Sequence, residues 1–199
     1  MEPRGNGLSK TLVTLGIVVI LLILLFVLRR NPSSGKQSQA KERETYFGLR
    51  NLLLTGSRAK FSLDPTSSPT EPWGVLMDWQ VSGGTATIVA MSDGGASIYL
   101  SSGGGFLGGK GQEPIRDAAK KAVTAAAGVQ TQMSKTETFP LPEPGEVRFY
   151  TLTDDGVHTA TAAETDLRKG TSPLTGLGNA MQGVVTEYRI FQQKQQGTR

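Results

Sequence analysis

Two short turns of the kind that joins antiparallel strands place the strongest constraint on how this 199-residue chain can fold. The turn SDGG (92–95) lies between the runs TATIVAM and ASIYLSS, which are rich in β-branched and apolar residues. The turn DDG (154–156) lies between EVRFYTLT and VHTATAA. Turn residues with a flanking glycine, placed between strand-like runs, are typical of hairpins. With the apolar run WGVLMDW (73–79) as a further strand, the pattern predicts five antiparallel strands.

Apolar residues at helical spacing predict three helices around these strands, at 41–56, 113–128 and 172–191. The middle helix buries a face made mostly of alanine, which allows a helix to lie close to a sheet. Runs of hairpins separated by helices indicate an α+β fold. We therefore expect a five-stranded antiparallel sheet with helices on one face, in the order α-βββ-α-ββ-α, preceded by a transmembrane helix.

The transmembrane prediction rests on the segment TLVTLGIVVILLILLFVL (11–28), which contains eighteen residues without a charge. As a helix it would measure about 27 Å, close to the hydrocarbon thickness of a bilayer. The run ends at Arg29-Arg30-Asn31-Pro32 rather than at a small-residue cleavage site, which favours an uncleaved anchor over a signal peptide. The sequence thus predicts a single-pass protein of the cell membrane.

The resulting layout has seven parts. These are a tail (1–10), the transmembrane anchor (11–28), a basic and polar linker (29–40), an amphipathic helix (41–56), a second linker (57–72), the α+β domain (73–192) and a polar tail (193–199). The amphipathic helix can either lie on the membrane surface or dock on the domain, and the sequence leaves both possibilities open.

Positive charge is concentrated in the first third of the chain. Residues 1–60 hold ten basic and three acidic side chains, for a net charge of +7, whereas the remainder holds eleven and fourteen, for −3. The downstream domain therefore has no overall charge pattern that favours nucleic acid. Five basic residues form a membrane-proximal group: Arg29, Arg30, Lys36, Lys41 and Arg43. By the positive-inside rule they favour a cytoplasmic domain in contact with membrane lipid, and an exported domain remains the alternative.

The segment SSGGGFLGGKG (101–111) resembles a phosphate-binding loop in two incompatible ways. It contains G-x-x-x-x-G-K without the Ser or Thr that should follow, and it also contains G-x-G-x-x-G. Both motifs require a parallel βαβ unit, whereas the preceding strand here is the second arm of a predicted hairpin. A ligand-binding or enzymatic domain that uses the loop 103–111 for an anionic or nucleotide-like group remains the alternative hypothesis, and its candidate residues are Gly103, Gly104, Gly105, Gly108, Gly109 and Lys110.

Phe106 and Leu107 are apolar residues placed within this glycine-rich stretch. Glycines allow a backbone to take unusual angles or to approach a neighbour closely, so the stretch can serve as a shaped corner. It can equally present Phe106 and Leu107 to a partner or to a membrane surface. We therefore assign these two residues as candidate partner contacts.

Residue types that perform catalysis are scarce in this chain. It has no cysteine and one histidine, His158, which lies directly after a turn and is best interpreted as an ordinary strand residue. Asp154 and Asp155 are better interpreted as turn residues than as metal ligands, because metal sites converge several oxygens. No catalytic residue, metal ligand or cofactor is therefore assigned, and the sequence favours a module that is not an enzyme.

Three segments carry a resemblance to other proteins: GVLMD (74–78), SSGGGFLGG, and LPEPGEVRFYTLTDDGV (141–157). They resemble a set of uncharacterised bacterial proteins, and this likeness implies no activity. The order of elements alone is similar to that of profilin-like and roadblock-type domains, which is a weak basis for function. The sequence hypothesis is an interaction or scaffold module that contacts a protein partner or associates with itself through a sheet edge or the last helix.

Overall fold

The computed structural model describes residues 36–65 and 68–197, which form an α+β fold with a seven-stranded antiparallel sheet and four helices. The helices are α1 (Lys36–Leu54), α2 (Glu113–Gly128), α3 (Glu164–Lys169) and α4 (Thr175–Gly197). The strands are β1 (Gly74–Val81), β2 (Gly84–Met91), β3 (Ala96–Leu100), β4 (Gly105–Phe106), β5 (Ser134–Thr136), β6 (Glu146–Thr153) and β7 (Gly156–Ala163). Short 3₁₀ turns occur at Ala59–Phe61, Gly109–Gly111 and Gln130–Gln132.

The strands are arranged side by side in the order β4-β3-β2-β1-β6-β7-β5, and every neighbouring pair is antiparallel. The centre of the sheet is formed by β2, β1 and β6, and Asp78 of β1 lies opposite both Thr87 and Arg148. The two edges are very short strands, since β4 has two residues and β5 has three.

One face of the sheet, which we call the helix-pair face, is covered by α2 and α4. Ala119, Ala122 and Ala126 of α2 are fully buried there, because their small side chains allow the helix to lie close to the strands. Leu177 and Met181 of α4 are also fully buried. This layer contains the larger of the two apolar clusters.

The opposite face, which we call the α1 face, is covered by α1 and by the proline-rich connector at 138–145. Tyr46, Leu53 and Leu54 of α1 pack against a second apolar cluster that includes Leu76 and Tyr150 of the strands. The amphipathic helix predicted at 41–56 therefore docks on the sheet, which was one of its two predicted locations.

The predicted fold is wrong in the number of strands and in the placement of the helices. The sheet has seven strands rather than five. The two further strands, β4 and β5, have two and three residues, which is too short to produce a recognisable alternation in the sequence. The helices cover both faces rather than one, since α1 lies opposite α2 and α4.

The prediction of a single-pass membrane fold is corrected as well. Across 36–65 and 68–197, no helix is both long and apolar enough to cross a membrane. The two long helices α1 and α4 are rich in charged and amide side chains. The segment 11–28, for which the span was predicted, lies outside the described residues.

Candidate functional site

The glycine-rich stretch folds into the β3–β4 hairpin and the 3₁₀ turn that leads to α2. The Gly103 N–H donates to the carbonyl of Leu100 at 2.8 Å, and the Leu100 N–H donates to the carbonyl of Gly104 at 3.0 Å. Gly105 has a φ of 151°, and a Cβ at this position would collide with the carbonyl oxygen of Ile98 on the paired strand. The glycines are therefore required by a tight hairpin, whatever else the stretch does.

The candidate ligand residues of this stretch lie in different surroundings. Lys110 Nζ binds Asp93 Oδ2 at 2.7 Å. Partial burial disfavours the Asp93 charge, but hydrogen bonds from Lys110 and Gly95 outweigh it and hold the pKa of that carboxyl below its usual value. Gly109 is buried, and a Cβ there would meet the side chains of Ile115 and Tyr188. Gly103 and Gly104 line a groove on the surface.

This groove has a volume of about 330 Å³ and lies between the first half of α1 and the β3–β4 hairpin. It is lined by Lys41, Glu42, Thr45, Tyr46, Leu49, Tyr99, Leu100, Gly103 and Gly104. Its floor is apolar and aromatic, and its polar side chains come from the first turns of α1. Its volume is at the lower end of the range typical of small-molecule sites.

Phe106 and Leu107, the candidate partner contacts, are placed in different ways. The ring of Phe106 stacks on that of Tyr188 in α4, with ring centroids 5.5 Å apart and an angle of 29° between the planes. The Tyr188 hydroxyl donates to the carbonyl of Ala96 at 2.6 Å. Leu107, in contrast, is 67% exposed. Among the described residues the other exposed large apolar side chain is Leu52 on α1, at 40%.

Buried polar groups on the α1 face form a network that the sequence interpretation missed. Arg50 Nε and Nη2 donate to Asp78 Oδ2 at 2.9 and 2.6 Å, and both side chains are almost fully buried. Thr87 donates to Asp78 Oδ1, and the Tyr46 hydroxyl lies 2.8 Å from Thr87 Oγ1. Because Thr87 uses its proton on the carboxylate, Tyr46 is the donor of that second bond.

The same arginine also holds the proline-rich connector. Its Nη1 donates to the carbonyl of Phe139 at 2.9 Å and its Nη2 to the carbonyl of Pro140 at 3.3 Å. The guanidinium carbon lies 5.2 Å from the centre of the Tyr150 ring, and the Tyr150 hydroxyl donates to the carbonyl of Pro140. Arg50 thus joins α1, the sheet and the connector at one point.

Burial acts on the ionisable groups of this network in a consistent way. It raises the pKa of the Asp78 carboxyl above its usual value, while the Arg50 guanidinium opposes this shift. Burial also raises the pKa of Tyr46 well above 10. Because the network is closed to solvent and its polar atoms are paired with one another, it is suited to holding the fold rather than to reacting with a substrate.

The signal for this network was present in the sequence. Asp78 is the single charged residue within the apolar run GVLMDW, and a charge in a buried strand requires a partner. The partner cannot be identified from the sequence, because Arg50 is one of ten basic residues within 1–60 and no local pattern distinguishes it. The pairing spans 28 residues and depends on how α1 lies on the sheet.

The remaining candidates are dispersed over the structure. His158 Nε2 lies 3.8 Å from Asp155 Oδ2, and Asp155 also binds Lys135 at 3.0 Å. Within the described ranges, no group of three His, Cys, Asp or Glu residues is placed to hold a metal ion. Of the basic residues near the predicted anchor, Lys41 and Arg43 are exposed on α1. Lys36 is the first residue of that helix, and Arg29 and Arg30 lie outside the described residues.

Compared with models of protein families, with curated proteins and with solved structures, the chain matches none.

Proposed function

We propose that the α+β unit of this chain is an interaction module that is not an enzyme and that contacts a partner protein through Leu107. The observation that carries the proposal is the exposure of Leu107, 67%, beside a partly buried phenylalanine whose ring stacks on Tyr188. An exposed apolar side chain gains free energy when a partner removes it from water.

The hairpin supports this function because it holds Leu107 at a defined place. Phe106 stacks on Tyr188 immediately before it, and the ion pair between Lys110 and Asp93 follows three residues later. An anchored loop loses less conformational entropy on binding than a free loop does. The use of Arg50 and Asp78 in a closed structural network also favours binding over catalysis.

The test is photo-cross-linking in cells that produce the full chain. A photoreactive phenylalanine analogue at position 107 should form an adduct with a partner protein, and the same analogue at position 52 is the matched control. Phe106→Ala, which removes the ring that anchors the hairpin, should reduce the adduct from position 107. The absence of an adduct at 107, or the same adducts from both positions, would contradict the proposal.

A second candidate is the binding of a small molecule in the groove beside Gly103 and Gly104. The observation that favours it is the groove itself, with its aromatic floor and the single lysine Lys41 among its lining residues. Thermal unfolding of the full chain with phosphorylated and aromatic metabolites should show a stabilising shift. Thr45→Trp, which fills the groove, should remove that shift, and no shift with the unaltered chain would contradict this candidate.

A further inference from the structure

The two edges of the sheet are protected to different degrees. At the β3 edge, the hairpin partner β4 pairs with Ile98 and Tyr99, and the carbonyl of Ala96 accepts a hydrogen bond from Tyr188. At the other edge, β5 pairs only with residues 157–159 of β7. Residues 160–163 are paired with β6 on their inner side, and no backbone partner lies on their outer side among the residues that the structure describes.

This uncovered segment, Ala160-Thr161-Ala162-Ala163, lacks the features that normally prevent strand addition. Edge strands are usually protected by charged side chains, proline or a bulge. The segment contains no proline or charged residue, and its pairing with β6 continues without a bulge. Its outward N–H and C=O groups are therefore available to another extended strand.

We propose that the outer edge of β7 at 160–163 pairs in an antiparallel manner with the same edge of a second copy of this chain. The proposal rests on the proposed function, because it assigns a surface and a partner to an interaction module. A twofold contact of this kind needs only one self-complementary edge, and small side chains on both copies let the two strands approach without a clash.

Charge complementarity supports a second copy as the occupant. Lys135 of β5 lies beside one end of the segment, and the first turn of α3 at the other end contains Asp166, together with Glu164, which Arg168 already binds at 2.6 Å. Antiparallel pairing reverses the direction of the second copy, so its acidic end comes to the basic end of the first. Lys135 already binds Asp155 at its own end, and Asp166 of the second copy would add to that pair.

The expected dimer is weak, because four residues of strand edge provide only a small contact. Stable interfaces bury roughly 1,200–2,000 Å² in total, which is more than a four-residue strand pair alone supplies. Dimerisation should consequently increase with protein concentration over the range in which weak complexes form.

Because the chain contains no cysteine, position-specific cross-linking provides the test. Thr161 is exposed on the proposed edge, and Thr124 is exposed on α2. Thr161→Cys is therefore the test variant and Thr124→Cys is its matched control. With a short bifunctional thiol reagent, the full chain should yield a cross-linked dimer when the cysteine is at position 161 and no dimer when it is at position 124. Equal yields from the two positions, or none from 161 at high concentration, would overturn the proposal.

A second variant examines the same edge by sedimentation of the full chain. Thr161→Lys places a charge on the edge without touching the pairing with β6, so the concentration-dependent dimer should be lost, whereas Thr124→Lys should keep it. If the dimer persists in Thr161→Lys, the edge is not its interface and the proposal fails. The photo-cross-linked adduct from position 107 is measured in the same variant. If that adduct persists while the dimer is lost, the two contacts use separate surfaces. The failure of one proposal then does not imply the failure of the other.

Discussion

The two faces of the sheet are built on different principles. The helix-pair face is an apolar layer in which the alanines of α2 and the aliphatic residues of α4 meet the strands. The α1 face has a smaller apolar cluster, and the ion pair between Arg50 and Asp78 lies within it. Apolar packing is strong but tolerant of small displacements, whereas a buried ion pair is satisfied in one arrangement only. The helix-pair face holds the larger apolar cluster, and we expect the network to fix the position of α1 on the other face.

The largest effect is expected from Asp78→Ala, which leaves the Arg50 guanidinium buried without its carboxylate. Removing one partner of a buried pair costs about 3–5 kcal/mol. We expect the free energy of unfolding, measured by urea denaturation, to fall by that amount. The double variant Arg50→Met with Asp78→Leu is the control, and it should recover most of the loss because no buried charge remains. A loss well under 1 kcal/mol in Asp78→Ala would contradict a network that positions α1.

On the helix-pair face, the corresponding test is to enlarge an alanine. Ala122 is fully buried between α2 and the sheet, so Ala122→Leu should overpack this layer and cost about 1–3 kcal/mol of unfolding free energy. Ala127 is exposed on the same helix, so Ala127→Leu should change the free energy of unfolding little. Equal effects of the two substitutions in urea denaturation would show that the close approach of α2 does not limit the fold.

Alkaline pH should weaken both faces. Burial raises the pKa of Tyr188 on the helix-pair face to about 12, and it raises the pKa of Tyr46 on the α1 face further. Between the unfolded pKa near 10 and the folded pKa, the unfolded chain releases a proton that the folded chain retains. The stability that each tyrosine contributes is fully present below pH 10. Between pH 10 and the folded pKa, each tyrosine should lower the free energy of unfolding by about 1.4 kcal/mol per pH unit.

Urea denaturation at pH 8, 10 and 11 measures this loss for the unaltered chain and for two variants. Tyr188→Phe removes the titrating group of the helix-pair face, and Tyr46→Phe removes one from the α1 face. Each variant should show a shallower decline above pH 10 than the unaltered chain. An unchanged slope in either variant would mean that its hydroxyl is not held in the protonated form by burial.

At neutral pH, Tyr46→Phe is expected to have a smaller effect. It removes the hydrogen bond to Thr87 while leaving the bond from Thr87 to Asp78 in place, so we expect a loss of about 1 kcal/mol. Ser97→Ala at the partly buried β3 position is a control outside the network. A loss as large as that in Asp78→Ala would mean that Tyr46, rather than the ion pair, is the main attachment of α1.

The smallest effect on stability is expected from Leu107→Ser. Leu107 is mostly exposed, and surface substitutions usually change the unfolding free energy by less than about 0.5 kcal/mol. The same substitution should strongly reduce binding to the partner protein once that partner has been identified by cross-linking. A substantial loss of stability would show that Leu107 packs within the molecule, and unchanged binding would contradict its proposed role.

Parts of this fold could be predicted because they depend on local signals. The turns SDGG and DDG join β2 to β3 and β6 to β7 as expected, and α2 occupies its predicted residues. The sequence prediction did not include the covering of the second face by α1, although β1 and β2 indicate it. Their segments GVLM and TIVAM are continuous apolar runs rather than alternating ones, which is typical of strands buried on both faces. β5 could not be predicted, because the three residues SKT become a strand only beside β7.

The candidate site divides in the same way. Leu107 and the glycines of the hairpin can be selected as candidates from the sequence, since an apolar residue within a glycine-rich stretch is a local pattern. The sequence could not show that Phe106 packs on Tyr188 while Leu107 remains exposed, because Phe106 and Tyr188 are separated by 82 positions. The groove beside Gly103 and Gly104 likewise requires α1, which comes from a distant part of the chain.

The sequence by itself determined the two predicted hairpins and the alanine-faced helix, because backbone geometry and short-range periodicity are properties of neighbouring residues. Tertiary structure alone decided that α1 covers the second face, that Arg50 neutralises Asp78, and that residues 160–163 of β7 have no outer backbone partner within 36–65 and 68–197. These features depend on the free energy of bringing distant segments together. The free energy of burying a charge or of pairing a strand edge is determined only when both partners are in place.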